Sequence, residues 1–205
     1  MKFSKLIIDR YAEKIDLDFS KIQETAILKS ILSRRSIRKF LNKPISKELL
    51  TLLLAASQSA PSKSNLQQYS ILVIQDQNIK NEISDLIGNT KWALTAPIFL
   101  LYLADIRRNI KITNDRGYDH KNNNVDTFIN SVIDAALAMQ STICAAESIG
   151  LGVCPISMIR NIIEEVKVIC ELPKGVFPIA GLAIGWPNQK SKISIRLSQD
   201  IVTHL

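Results

Sequence analysis

Apolar positions along this chain follow a helical period in some segments and a strand-like run in others. From Ile22 to Ser33 the positions Ile22, Ala26, Ile27, Ile31 and Leu32 share one helical face, which ends at a basic cluster. Ser46 is an N-cap candidate with Glu48 in the first turn, and the leucines behind it predict a mostly buried helix that stops near Pro61. "YSILVIQD", Tyr69 to Asp76, is short and rich in β-branched residues, which predicts a strand, and "DQNIKNEISDLIGN" restarts a helix behind Asp76 or Asn78. "APIFLLYLAD", Ala96 to Asp105, is apolar on both faces and fits a central strand.

The polar stretch from Ile106 to Asn124 reads as a long loop and a lid candidate. The longest periodic segment follows, with Phe128, Val132, Ala135, Ala136, Met139, Ile143 and Ala146 on one face until Gly150 stops it. This is the expected central helix. A short run "LGVCPIS", a helix through "MIRNIIEEVKVICEL", a strand "VFPIAGLAIG" and a polar tail with Arg196 complete the chain. Residues 1–20 show no clean period, so 1–24 is read as a partly helical N-terminal extension and 25–205 as the main domain. The class is α+β, with helices packed on a small sheet.

Composition narrows the function only in part. With 205 residues, 46% of them hydrophobic and 22% charged, the chain can bury a full core. No run reaches the roughly 18 to 20 apolar residues that cross a bilayer, and the start meets charges too early for a secretory signal, so a cytoplasmic protein without membrane contact is expected. Cys144, Cys154 and Cys170 form no C-x-x-C or His/Cys pairing, so they read as buried thiols and no metal site is expected. The net charge of +7 suits a phosphate-bearing partner and leaves open whether that is nucleic acid, nucleotide or cofactor.

The common catalytic signatures are missing. Gly150-Leu151-Gly152 follows a helix and lacks the third glycine of a Rossmann turn, and no phosphate loop or nucleophile elbow occurs. Only His120 and His204 could serve a triad, and Glu164 and Glu165 are neighbours on a helix that face different ways. An externally supplied reactive group is therefore the more attractive source of chemistry.

Two segments could hold such a group. "SRRSIRKF" offers Arg34, Arg35, Ser36 and Arg38, whose guanidinium forks and hydroxyl suit a phosphate. Taken alone, a solvated helix end answering the helix dipole is the simpler reading. "SAPSKSNLQQY" gathers Ser62, Lys63, Ser64, Asn65, Gln67 and Gln68, whose amides and hydroxyls suit the edge of a heterocycle, although an ordinary turn explains them equally.

In their order along the chain these segments resemble the nitroreductase family of FMN-dependent oxidoreductases. "RRSIRKF" matches its R-x-S-x-R-x-[FY] stretch and "PSKSNLQ" its P-S-x-x-N-x-Q loop; "APIFLLYLAD", "AAESIGLG", "GVCPISMIRN" and "GLAIGWP" follow in order, so that the resemblance covers about residues 25 to 200. It implies a small mixed sheet surrounded by helices in a domain-swapped homodimer, with FMN at the subunit interface. Carried over by position, Arg34, Arg35 and Ser36 would hold the phosphate and ribityl chain, and Arg196 would close the cradle. Arg38 would stand near the pyrimidine edge, with Lys63 the alternative cation. Ser62, Asn65 and Gln67 would meet the ring, Asn65 from the other subunit. Pro155, Ile156, Ser157 and Met158 would approach N5 and O4.

The implied reaction is hydride transfer from NAD(P)H through FMN to a planar electron-poor acceptor such as a nitroaromatic, quinone or flavin, by a ping-pong course with no side-chain acid or base. Phe128 and the lid candidate would line the opening. Two departures bear on the implied site. Ser194 and Ile195 stand where several branches carry a basic residue and a proline, with Lys192 as a substitute cation, and the sequence ends at Leu205 without the extension that helps hold the nicotinamide nucleotide in the larger branch. An FMN storage or sensor protein without turnover is the alternative. A nucleic-acid module lacks the aromatic interleaving it needs, with 6% aromatics.

Overall fold

The computed structural model describes residues 3–13, 17–88 and 95–204. Four strands form one sheet in the order β1-β2-β4-β3: β1 Tyr69–Ile74, β2 Ile98–Asp105, β3 Gly152–Ile156 and β4 Val176–Gly185. The small sheet ringed by helices is as expected. Its pairings are antiparallel throughout the described residues, where a mixed sheet was expected.

β2 and β4 sit in the middle, and their alternation sends side chains to two separate cores. Phe99, Leu101 and Leu103 face one layer with Ile74, Cys154, Ile156 and Ala183. Ile98, Leu100, Tyr102 and Ala104 face the other with Val153, Leu182 and Ile184. Burial on both faces explains why "APIFLLYLAD" shows no alternation, and each fully buried aliphatic chain contributes about 1.5–3 kcal/mol. Within the first of these layers Gly181 of β4 makes room for Phe99 of the neighbouring β2, since an added Cβ would lie 2.4 Å from its Cζ.

The helices are α1 Phe3–Tyr11, α2 Ala26–Ser33, α3 Lys47–Gln58, α4 Gln77–Leu86, α5 Arg107–Asp115, α6 Val125–Ser148, α7 Ile163–Ile169 and α8 Gln199–Val202. Ser46 and Asp76 cap α3 and α4 through their side chains, as expected; Asn89, the last residue expected in the second of these helices, lies outside the described residues. Gly150 ends α6 at φ +85°, with Leu151 N–H returning to Ala146 O at 2.9 Å. α3 and α6 cover one face of the sheet; α4, α7 and the 3-10 turn Ser157–Asn161 cover the other.

Two expectations change, at 106–124 and at the thiols, while a helix near the start of the chain is as expected. The stretch 106–124 is not loop throughout, because α5 occupies its first half: Arg108 and Asn109 anchor it by donating to backbone carbonyls of Gln67, Tyr69 and Leu66. The first residues form α1, with Phe3, Leu6 and Arg10 buried beside α2. Of the thiols, only Cys154 is fully buried, while Cys144 and Cys170 are half-buried.

The largest difference concerns α6. Its buried stripe is Thr127, Ser131, Asp134, Ala135, Ala138, Thr142, Ile143 and Ala146; of the expected face Ala135, Ile143 and Ala146 are buried and Val132 and Met139 pack against the core, while Phe128 and Ala136 are exposed and polar residues take inward positions. Every buried polar group on that stripe has a partner, which makes its burial tolerable. Ser131 donates to Phe128 O at 2.7 Å, Tyr102 OH donates to Thr142 Oγ1 at 2.7 Å, and Asp134 accepts from two backbone amides. Val125, Phe128, Ile129, Ile133 and Leu137 are left facing outward.

Candidate functional site

The basic cluster lies where α2 gives way to an extended segment running beside the sheet. Ile37 N–H donates to Val153 O at 2.9 Å, and Leu41 N–H to Trp186 O at 2.8 Å. Gly152 permits this approach, since a Cβ there would meet the Ile37 side chain at 2.8 Å. Arg34, Ser36, Ile37 and Arg38 are thereby held against β3, with Cys154 beside Ser36 and Arg38. Arg38 N–H donates to Gln189 Oε1 at 2.9 Å.

Four guanidinium groups converge here. Arg34 Nε stands 3.6 Å from Glu147 Oε1 near the end of α6, and the charges of Arg35 and Arg10 also act on that carboxyl. Burial, and then the charges of Arg196 and Arg34, push against the charge of Arg10 in turn. Burial lifts Glu147 to about 7 in spite of the three guanidinium groups beside it, so near neutral pH it offsets less than one of these four charges. Nη2 of Arg34 is buried and has no hydrogen-bond partner among the described residues. A surplus of cations around a buried, unused donor is what a phosphate would satisfy.

β3 runs from this cluster through Pro155 to Ile156, whose side chain is buried. The chain then enters the 3-10 turn, where Ser157 and Met158 are exposed. Arg34, Arg35, Ser36, Arg38, Arg196 and β3 with Pro155 and Ile156 therefore belong to one region.

Ser62, Lys63, Asn65 and Gln67 belong to another. Asp134, 1% exposed, accepts from the backbone N–H of Lys63 and of Gln68, both at 3.0 Å, and fixes the ends of their loop. Between those anchors Ser64, Asn65 and Gln67 take positive φ values of 50°, 56° and 49°, a conformation that costs non-glycine residues energy and turns the side chains outward. Asp134 and Glu147 are thirteen residues apart on α6, about 20 Å at ~1.5 Å per residue. One chain therefore does not unite the arginine cluster with the amide loop.

The amide loop borders a cavity of about 1080 Å³ whose walls come from residues 63–71, α5, the segment up to Asn124 and the start of α6. Three buried polar atoms without partners line it: Gln68 Oε1, Asn109 Oδ1 and His120 Nε2. Sequence reasoning kept Gln68 in the loop but missed Asn109, Asp134, Glu147 and Arg10. For Asp134 and Glu147 the available signal was a carboxylate inside an otherwise apolar helix. For Asn109 and Arg10 there was none, since both sit in ordinary polar segments.

The chain is thus an α+β protein with a four-stranded antiparallel sheet between helices, a cluster of guanidinium groups and a separate polar cavity. The family model described as "Nitroreductase family" matches residues 31–186. An FMN reductase [NAD(P)H] of Bacillus subtilis (strain 168) is 39% identical over 181 residues, 87% of this chain and 72% of that relative. An oxygen-insensitive NADPH nitroreductase of Salmonella typhimurium is 34% identical over 174 residues, 85% of this chain and 71% of its own length. Among solved structures, B. megaterium NfrA2 superposes with a TM-score of 0.86 at 34% identity, over 88% of this chain and 74% of that one. The NADPH:FMN oxidoreductase from Vibrio harveyi complexed with NAD+ gives 0.83 at 30% identity, over 88% and 77%. The chain belongs to the nitroreductase family.

Proposed function

We propose that this chain is an FMN-dependent oxidoreductase that passes two electrons from NAD(P)H to an electron-poor planar acceptor, such as a nitroaromatic, a quinone or a free flavin. When bound, FMN supplies the redox chemistry, taking a hydride from NAD(P)H and handing the electron pair on. The observation that carries the reading is the buried, partnerless Nη2 of Arg34 within a cluster of four guanidinium groups. Relatives named FMN reductase and NADPH nitroreductase support the same assignment.

The residues take the following roles. Arg34, Arg35 and Arg196 hold the phosphate, with the Ser36 hydroxyl on the phosphate or ribityl chain. Arg38, and Lys63 as the second cation, favour negative charge on the pyrimidine edge of the ring. The backbone from Pro155 to Met158 borders the ring, and Ser62, Asn65 and Gln67 meet its polar edge. The separation of about 20 Å along α6 in one chain, and the apolar residues that α6 turns outward, support assembly from two copies. In that arrangement the loop of one subunit completes the cluster of the other. The cavity lined by Gln68, Asn109 and His120 then adjoins the ring and receives the polar parts of NAD(P)H or acceptor. Protein walls there exclude water and orient the reactants, and the hydride step itself requires no side-chain acid or base. The proposed address is the cytoplasm.

The test is the visible spectrum of the purified protein, followed by anaerobic addition of NADH or NADPH. A yellow protein bleached by either nucleotide and recoloured by a quinone supports the reading. A yellow protein that neither nucleotide bleaches would indicate the storage or sensor alternative.

A further inference from the structure

We infer that the N-terminal helix is a positioning element of the phosphate site, acting through Arg10. This rests on the FMN reading above. Arg10 lies on a nine-residue helix in the first turns of the chain, yet it is only 7% exposed. Its Nη2 donates to Leu32 O at 2.9 Å and to Arg34 O at 2.6 Å, and its Nη1 donates to Ser194 O at 2.9 Å. Its own carbonyl accepts from Arg196 N–H at 2.8 Å. One residue thus links the backbone that carries Arg34 to the backbone that carries Arg196, two segments more than 150 positions apart in sequence.

The chemistry favours a positioning role over a purely structural one. A planar fork can satisfy three carbonyls from two chain segments at once, which a lysine ammonium on a flexible stem does not do with the same geometry. Burying a third cation beside Arg34 and Arg196 is electrostatically unfavourable by itself, since desolvation and both neighbours oppose its charge. A bound anion reverses the sign of that term, so the arrangement is at ease only with the phosphate in place. Phe3 and Leu6 bury the helix beside α2 and keep Arg10 at this junction. Arg10 spends its donors on carbonyls and is a positioning residue, whereas Arg34 and Arg196 face the ligand.

The experiment compares equilibrium binding of FMN and of riboflavin, which lacks the phosphate, to the full-length apoprotein and to Arg10→Gln and Arg10→Lys. The ratio of the two affinities isolates the phosphate site, because damage to the ring site or to the fold lowers both together. Expected is a tenfold or larger fall in the FMN preference for both variants, with riboflavin affinity held within about twofold. Arg196→Ala should cost less in Arg10→Gln than in the wild-type protein, since Arg10 places the backbone that carries Arg196. An unchanged preference in either folded variant, or additive losses, overturns the inference and leaves the FMN reading intact. If the wild-type protein itself binds FMN no better than riboflavin, the reading beneath it fails and the inference falls with it.

Discussion

Nε of Arg34 lies 3.6 Å from Oε1 of Glu147 while Nη2 of the same guanidinium, buried, meets no acceptor. One end of the fork is answered by a carboxyl that burial raises to about 7, and the other end is unanswered among the described residues.

That carboxyl has a measurable consequence for stability. Its ordinary value of 4.5 rises to about 7 on folding, chiefly through desolvation, so the folded state binds its proton more tightly than the unfolded chain. The contribution is therefore fully present below pH 4.5 and is lost as pH rises through about 7. Urea unfolding of the apoprotein should show stability falling between pH 5 and 8, and Glu147→Gln should remove that part of the slope. An identical slope in the variant would exclude Glu147 as its source.

Asp134 should prove to be the anchor of the amide loop. Asp134→Asn replaces one of two acceptor oxygens by a donor that faces a backbone N–H, so about 1.5–3 kcal/mol of stability is expected to disappear. Amide hydrogen exchange should quicken at residue 63 or 68, since the remaining oxygen can accept from only one of the two N–H groups. Unaltered protection at both would mean that the loop is held by something else.

Hydrophobic periodicity found most elements and, through Ala135, Ile143 and Ala146, part of the buried face of α6, but not its polar half. The run from Ala96 and the strand "VFPIAGLAIG" were legible because both faces of a central strand must be apolar. Ser46 and Asp76 were legible because a cap needs a side-chain acceptor at one position. The polar half of the α6 face was not, since its inward side chains Thr127, Ser131, Asp134 and Thr142 pair with the helix itself, with residues just before it or with groups distant in sequence. A polar residue buried with its partner looks like a surface residue in sequence. In the same way α5 is held by Arg108 and Asn109 on carbonyls of the loop, a tertiary support invisible to propensity. The arginine cluster was readable from "SRRSIRKF", but its link to Arg196 through Arg10 needed coordinates.

The outward apolar residues of α6 predict an oligomer. Ile133 is 48% exposed in the single chain, so Ile133→Lys should change the stability of an isolated subunit by no more than about 0.5 kcal/mol. Sedimentation should show the wild-type protein as a dimer and the variant shifted to monomer, with FMN retention lost alongside. A monomeric wild-type protein that keeps FMN would contradict a site assembled from two copies.

The cavity predicts a split between cofactor and substrate. His120→Ala removes one of its partnerless polar atoms, and losing one such contact corresponds to about tenfold in affinity. Steady-state kinetics should show KM for NAD(P)H or for the acceptor rising by that order, with FMN retention unchanged. Equal KM values for both substrates would remove His120 from the site.

Equilibrium titration of the apoprotein with FMN and with riboflavin at fixed salt tests the central claim most directly. Charge-assisted hydrogen bonds contribute about 1.5–3 kcal/mol each, so two or more should favour FMN by at least ~100-fold. Arg34→Ala and Arg35→Ala should each erode that preference while sparing riboflavin. A wild-type protein that binds both flavins equally, or arginine variants that keep the full preference, would contradict the assignment of the cluster to the phosphate.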